Sequence, residues 1–329
     1  MIRYILKRIL LIVPVLIGIS LIVFTMLYFT PGNPAELMLS ADATPEQISA
    51  LEHELGLDQP FWTRYLTYIK NIVTKGDLGL SYTTRRSVTI ELVERFPKSV
   101  QLALWSAVIA TVMGVVIGII SATRQYSALD NISTALGLVG LSMPNFWLGM
   151  VLIILFAVNL RWLPASGVAS WAGWILPCVT IGISNCAKIM RMTRSSMLEV
   201  LRQDYVTTAR SKGLSEGIVI MKHAFRNALI PIVTSVGMTF AGTMGGAIVT
   251  ESVFSIPGVG KLMVDSINQL NYPMVQGGVL MLAAWFCLIN LLIDILYAFI
   301  DPTIKAQYSG KSRRKKALRP ALENGGAEK

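Results

Sequence analysis

Apolar residues gather in six uninterrupted runs, 9–29, 99–123, 132–158, 172–189, 228–250 and 277–300, and polar residues collect between them. Each run approaches or exceeds the roughly 20 residues a helix needs to cross ~30 Å of hydrocarbon, so the pattern predicts six membrane-spanning helices. The fourth is the least apolar because Asn185 and Lys188 crowd its end. A lysine there can lay its stem along the helix and send its ammonium to the interface. The first follows Arg3, Lys7 and Arg8, as a secretory signal would. Its apolar run is too long for a signal and no small-x-small cleavage site follows, which predicts a retained anchor.

Composition agrees with a membrane class: 53% of the 329 residues are hydrophobic and only 15% charged. The charge is distributed asymmetrically. With the N-terminus inside, segments 1–8, 124–131, 190–227 and 301–329 face the cytoplasm and hold 19 of the 29 lysines and arginines, whereas loops 159–171 and 251–276 hold only Arg161 and Lys261. That excess places both termini on the cytoplasmic side. The long segment 30–98 then lies outside, its seven basic residues balanced by nine acids.

Within that outer segment, "ATPEQISALEHELGLDQP" reads as a helix capped by Thr44, opened by Pro45 and ended by Gly56. A second helix is expected over 60–73, followed by a turn in "GDLGLSY". The result is a small ordered extracytoplasmic module, which reads equally as a lid over the helices or as a docking surface for a soluble partner. The chain accordingly divides into 1–29 (tail and first span), 30–98 (outer helical segment), 99–300 (a core of five spans containing the cytoplasmic segment 190–227) and a basic tail, 301–329.

Chemistry-bearing residues are sparse. Cys178, Cys186 and Cys287 all lie in apolar runs without metal-like spacing and read as buried, inert thiols. "SIPGVGKL" mimics a phosphate-binding loop, but Ser255 and Leu262 occupy positions that need glycine and a hydroxyl. "HELGL" lacks the second histidine of a zinc protease. The tail "SGKSRRKKALRP" follows a last span and suits anionic lipid better than nucleic acid. Asp294, near the end of the last run, is either a proton-coupling group or one member of a structural polar pair with Asn290. Pro144, beside Asn145, is expected to bend the third span. Gly237, Gly242, Gly245 and Gly246 give the fifth a small-residue face for close approach. Pro144, Asn145, Met238 and Gly242 are the candidates for lining a pathway, with plain tight packing as the other reading.

One stretch is out of character with its surroundings. "DYVTTARSKGLSEGIVIMKHAFRNALIP", 204–231, is basic and glycine-punctuated and ends at Pro231. It resembles the "EAA" signature of permease subunits of ATP-binding-cassette importers, in the form used by the dipeptide/oligopeptide/nickel group. Thr207 and Thr208 stand where that signature has Glu-Ala, and Pro231 lies farther from Gly213 than in the general importer consensus, habits that peptide-type members share. "RYILKRILLIVPVL", "PGNPAE", "LGLDQP", "GDLGLSY", "SMPNFWLG", "LPASG", "ILPCVTIG", "ESVFSIPGVGKL" and "YPMVQG" appear in the group's order and extend the resemblance over nearly the whole chain.

The resemblance implies an all-α polytopic type I importer permease (MetI-like) fold, as the first of two permease subunits in a bacterial or archaeal cytoplasmic membrane. It implies that 204–231 folds into short helices joined at Gly213, and that Tyr205, Ala209, Arg210, Lys212, Gly213 and Leu214 couple the chain to an ATPase. Arg210, Lys212, Lys222 and Arg226 would meet an acidic groove or lipid headgroups, and Pro231 would begin the fifth span. The implied partners are a second, different permease, two ATP-binding subunits or domains, an extracytoplasmic solute-binding protein and membrane lipid, with no nucleic acid. No cofactor or metal is expected, and ATP hydrolysis would belong to the partners. Di- or oligopeptide is the favoured substrate, with nickel, a metal chelate or glutathione as alternatives. An autonomous secondary carrier or a membrane enzyme is the reading from another class; either would act without ATP.

Overall fold

The computed structural model describes residues 2–39 and 43–300, so the basic tail lies outside the described residues. The fold is built from helices; among the described residues the one extended pairing is an isolated bridge between Leu80 and Ser87. The chain opens with α1 (Ile2–Tyr28), whose Arg8–Tyr28 portion is long and apolar enough to cross a membrane. Three shorter helices follow: α2 (Pro34–Met38), α3 (Pro45–Leu55) and α4 (Phe61–Lys75). In α3, Thr44 accepts from the Gln47 N–H while the Gln47 side chain accepts from the Thr44 N–H, a reciprocal cap. Gly56 ends it at φ 66°, in the left-handed region a glycine enters freely. At this exposed corner His53 Nδ1 and Asp58 lie 2.8 Å apart, and the hydrogen bond raises the imidazole pKa and lowers that of the carboxyl.

Next come α5 (Val88–Thr123), α6 (Ala128–Ser142), α7 (Asn145–Leu152), α8 (Ala172–Leu201), α9 (Asp204–Ser211), α10 (Glu216–Ile218), α11 (Arg226–Gly246), α12 (Ile248–Val253), α13 (Val259–Asn268) and α14 (Tyr272–Ile300). α7 continues into a π-helical stretch, Ile153–Asn159, and a second one, Val219–Phe225, joins α10 to α11. Four spans agree in place with the apolar runs but extend past them. α5 begins at Val88, well inside the segment assigned to the outside, and α8 continues to Leu201, because helix propagation ignores where the hydrocarbon stops.

The third predicted span is different. α6 and the α7 limb meet at 104°, so the apolar run 132–158 is a broken pair, not one bent helix. Pro144 is the residue that opens α7, and Asn145 is its first residue. The residue before a proline is pushed out of the α region, and Met143 is extended at φ −80°, ψ 126°. The expected fifth-span start is corrected in the opposite direction. Pro231 sits inside α11, and the helix that contains it is continuous from Glu216 to Gly246.

The core is organised on α5 and α8. A side chain at Gly114 would meet Cys186 O and Ile189 Cβ at 2.9 Å, and one at Gly118 would meet Thr193 Cβ at 2.6 Å and Met190 O at 2.8 Å. These two glycines, four residues apart, let the backbones approach as small-xxx-small pairs do in membranes. α8 is the most buried of the spanning helices, which is why it could afford to read as the least apolar. Its Asn185 amide donates to Thr243 Oγ1 on α11 at 3.1 Å, satisfying a buried polar group across the interface. Asp294 on α14 lies 2.7 Å from Arg8 of α1, which places it in an interhelical ion pair, while Asn290 donates to Phe286 O of its own helix.

Candidate functional site

The foreign segment folds as a helical corner hung beneath α8. Gln203 is extended and opens α9, whose Val206 and Ala209 are buried against Val219, with Val200 and Leu201 packed alongside. Ala209 therefore faces inward and holds the corner in place. Tyr205 and Leu214 are 42% and 38% exposed, which leaves them on the outer side, where they are open to a partner. Gly213 forms the corner itself, with φ 77° and its N–H donating to Arg210 O at 2.9 Å.

Across that corner Arg210 reaches Glu216, Nε to Oε1 at 2.9 Å and Nη2 to Oε2 at 3.4 Å. Its guanidinium clamps the turn, so the cations left on the exposed side are Lys212, Lys222 and Arg226. Asn227 Nδ2 donates to Tyr205 Oη at 3.0 Å, fastening α9 to the start of α11. The segment thus presents cations, hydroxyls and a fixed backbone corner, the means of a binding surface.

α8 carries the corner and is itself clasped. Arg194 donates to both oxygens of Asp130, Nε to Oδ1 at 2.7 Å and Nη2 to Oδ2 at 2.9 Å, a bidentate pair between α8 and the first turn of α6. Ser121 Oγ and the Tyr126 N–H also donate to Asp130, which is 2% exposed. Beside the pair, α6 and α8 border an open cleft of about 690 Å³ lined by Thr134, Met190, Arg191, Ser195 and Arg202.

Candidate pathway residues lie on separate elements. Met238 is 56% exposed, and a side chain at Gly242, Gly245 or Gly246 would meet nothing within 4 Å, so this side of α11 is open. Of the four glycines expected to receive another helix, Gly237 alone does so among the described residues, its added Cβ falling 2.6 Å from Ile293 of α14. Pro144 and Asn145 stand at the 104° break, where α7 packs on α8 and α12.

A polar knot at the other end of the core escaped the sequence reading. Glu251, 1% exposed, accepts from Ser99 Oγ at 2.6 Å and from the Lys261 N–H at 3.0 Å, while Ser99 accepts from the Val259 N–H at 2.9 Å. Burial pushes the Glu251 carboxyl up, and these donors oppose the shift. The knot fixes the α12–α13 connection onto α5; Gly258 and Gly260 are the residues whose side chains would collide with the carboxylate. Glu251 opens the "ESVFSIPGVGKL" stretch and its Lys261 partner lies within it, but the side chain that completes the knot, Ser99, lies 152 residues away. Among the described residues no group of three or more His, Cys, Asp or Glu could hold a metal ion.

Comparison with known proteins adds the following. Residues 114–306 match the family described as binding-protein-dependent transport system inner membrane component, and residues 1–103 match its N-terminal companion family. The chain is 42% identical over 333 residues to the dipeptide transport system permease protein DppB of Alkalihalophilus pseudofirmus, covering 93% of this chain and 100% of that one. It is 43% identical over 305 residues to the glutathione transport system permease protein GsiC of Escherichia coli (strain K12), covering 93% and 99%. Among solved structures it is similar in fold to an inward-facing form of the MetNI methionine ABC transporter, with TM-score 0.53, 18% identity, and 65% of this chain and 97% of that chain covered.

Proposed function

We infer that this chain, which belongs to the family of binding-protein-dependent transport system inner membrane components, moves di- or oligopeptides as one half of a pathway driven through residues 204–214. It is an integral membrane permease subunit of an ABC importer, without ATPase activity of its own, and such a subunit works with ATP-binding and substrate-binding proteins. Family membership sets aside the autonomous carrier and the membrane enzyme.

The observation that carries the coupling role is the corner at Gly213, buried on one side by Val206 and Ala209 and exposed on the other at Tyr205, Lys212 and Leu214. A surface anchored to α8 and continuous with α11 can pass a partner's movement into two spanning helices at once. The open side of α11 at Met238 and Gly242 suits the second permease or the solute between the two. Peptide is favoured by the dipeptide permease among the relatives, at 42% identity; the glutathione permease, at 43%, supports glutathione as the second reading, and a nickel or metal chelate stays a third.

The assembly is tested by affinity purification of the tagged chain from its native membrane. A second, different permease and two ATP-binding subunits or domains should copurify, and a solute-binding protein should stimulate their ATPase. A stable homodimer that transports unaided in vesicles would sink the reading. Sidedness has its own test, since both termini are assigned to the cytoplasm. A cysteine at Asp58 should react with an impermeant thiol reagent applied to intact cells, and one at Lys212 should not; labelling at Lys212 would reverse the orientation.

A further inference from the structure

We propose that α4 is not a water-exposed part of an outer module but an amphipathic helix seated in the lipid that surrounds the Tyr28 end of α1. Three faces of α4 lead to this. Phe61, Tyr65 and Tyr68 turn toward α1, where the Phe61 ring stands 5.2 Å from Phe24 and 5.1 Å from Tyr28, and the Tyr65 ring 5.3 Å from Phe24. Thr63, Thr67 and Thr74, with Lys70, form an exposed polar face. Between them runs a third face on which Trp62, Leu66 and Val73 are 61%, 62% and 79% exposed. Positions 62, 66 and 73 fall on one side of a helix, so this is a continuous apolar stripe that no protein side chain covers among the described residues.

Depth decides what covers it. α1 crosses the membrane from Arg8 to Tyr28, and its own apolar surface is open beside the contact, with Ile22 at 61% and Met26 at 66% exposure. Phe24 lies four residues from Tyr28, about 6 Å along the helix axis at 1.5 Å per residue. The Tyr65 hydroxyl reaches deeper, within 3.1 Å of Ser20 Oγ and 3.3 Å of Ile17 O. Ile17 is eleven residues from Tyr28, about 16 Å, or near the middle of a ~30 Å hydrocarbon layer. A helix held to α1 at the level of Phe24 therefore sits about 5–10 Å below the headgroups, the depth at which amphipathic helices bury their apolar face.

The polar chemistry agrees. α4 carries Arg64, Lys70 and Lys75 and no acid. The Arg64 guanidinium lies 5.5 Å from the Tyr28 ring centroid and 6.0 Å from that of Phe24, at the aromatic end of α1. Cations on long stems and a tryptophan at the boundary are what an interfacial helix uses to set its height. Lipid thus continues from the open side of α1 across Trp62 and Leu66.

The test uses the copurified complex in vesicles of phosphatidylethanolamine and phosphatidylglycerol, with Cys178, Cys186 and Cys287 replaced by alanine. Nitroxide labels go at Leu66→Cys and, independently, Trp62→Cys, with Thr67→Cys and Thr74→Cys as polar-face controls. The ratio of collisions with oxygen to collisions with a water-soluble nickel chelate should be several-fold higher at 62 and 66 than at 67 and 74. Equal ratios on both faces would overturn the proposal. So would shielding at 62 and 66 that appears only after the solute-binding protein is added, because a protein and not lipid would then cover the stripe.

Discussion

Gly213→Val should leave the chain inserted and joined to its partner permease, yet lower ligand-stimulated ATP hydrolysis and uptake about fivefold to thirtyfold. The residue sits at φ 77°, and an added Cβ there would meet nothing within 4 Å, so the substitution brings backbone strain without a collision. For a β-branched residue that strain is about 1–2 kcal/mol, enough to shift the corner by that factor in population. Gly213→Asn, which tolerates the left-handed region, should keep most of the coupling. ATPase activity with and without binding protein and ligand, beside uptake in the same vesicles, reads both. Wild-type coupling in Gly213→Val, combined with Arg210→Ala and Lys212→Ala, would remove the corner from the transmission path.

The second large effect is expected at the clasp between α6 and α8. Asp130→Ala leaves the Arg194 fork, the Ser121 hydroxyl and the Tyr126 N–H without their shared acceptor. Removing one partner of a fully buried pair costs about 3–5 kcal/mol, because the other charge stays behind without compensation; here the cost falls below that, since the Arg194 side chain keeps 27% of its surface exposed. The purified complex should show a clearly lower Tm, and the double substitution Asp130→Ala with Arg194→Met should recover part of it. Glu94→Ala, which breaks the exposed pair with Arg86, is the control and should change little. Equal Tm values for Asp130→Ala and Glu94→Ala would show that the bidentate pair contributes nothing.

Spanning helices were legible because hydrocarbon demands long apolar runs, and the corner at Gly213 only through the resemblance of 204–231 to the importer signature, which implies a turn at that glycine. The capped helix beginning at Pro45 was legible locally, from Thr44, Pro45 and Gly56. The 104° break was not: apolarity registers only that 132–158 is buried in lipid or protein, and a proline inside such a run signals a bend without its size. Pro231 misled in the opposite sense: it opens no helix but lies inside one continuous from Glu216, where it takes one N–H out of the ladder. The small residues of span five drew attention, while Gly114 and Gly118, spaced identically to known close-approach pairs, were readable in span two and passed over. Asp130 with Arg194, and Glu251 with Ser99, could not have been found locally. Partners 64 and 152 residues apart carry no signal in one sequence.

The helix that runs unbroken from Glu216 to Gly246 has a mechanical consequence. Thirty-one residues make a strut of about 46 Å, half as long again as the hydrocarbon it crosses. A tilt of about 10° about one end would displace the other by about 8 Å at that length. The corner at Gly213 and the bare stripe at Gly242 then sit toward opposite ends of a single lever. Its π-helical collar at Val219–Phe225 and the missing N–H of Pro231 are two places where the backbone can take up slack. With residues 204–214 as the proposed point of attachment, leverage of this kind would transmit force through main-chain geometry and leave the side chains along the shaft free to serve packing.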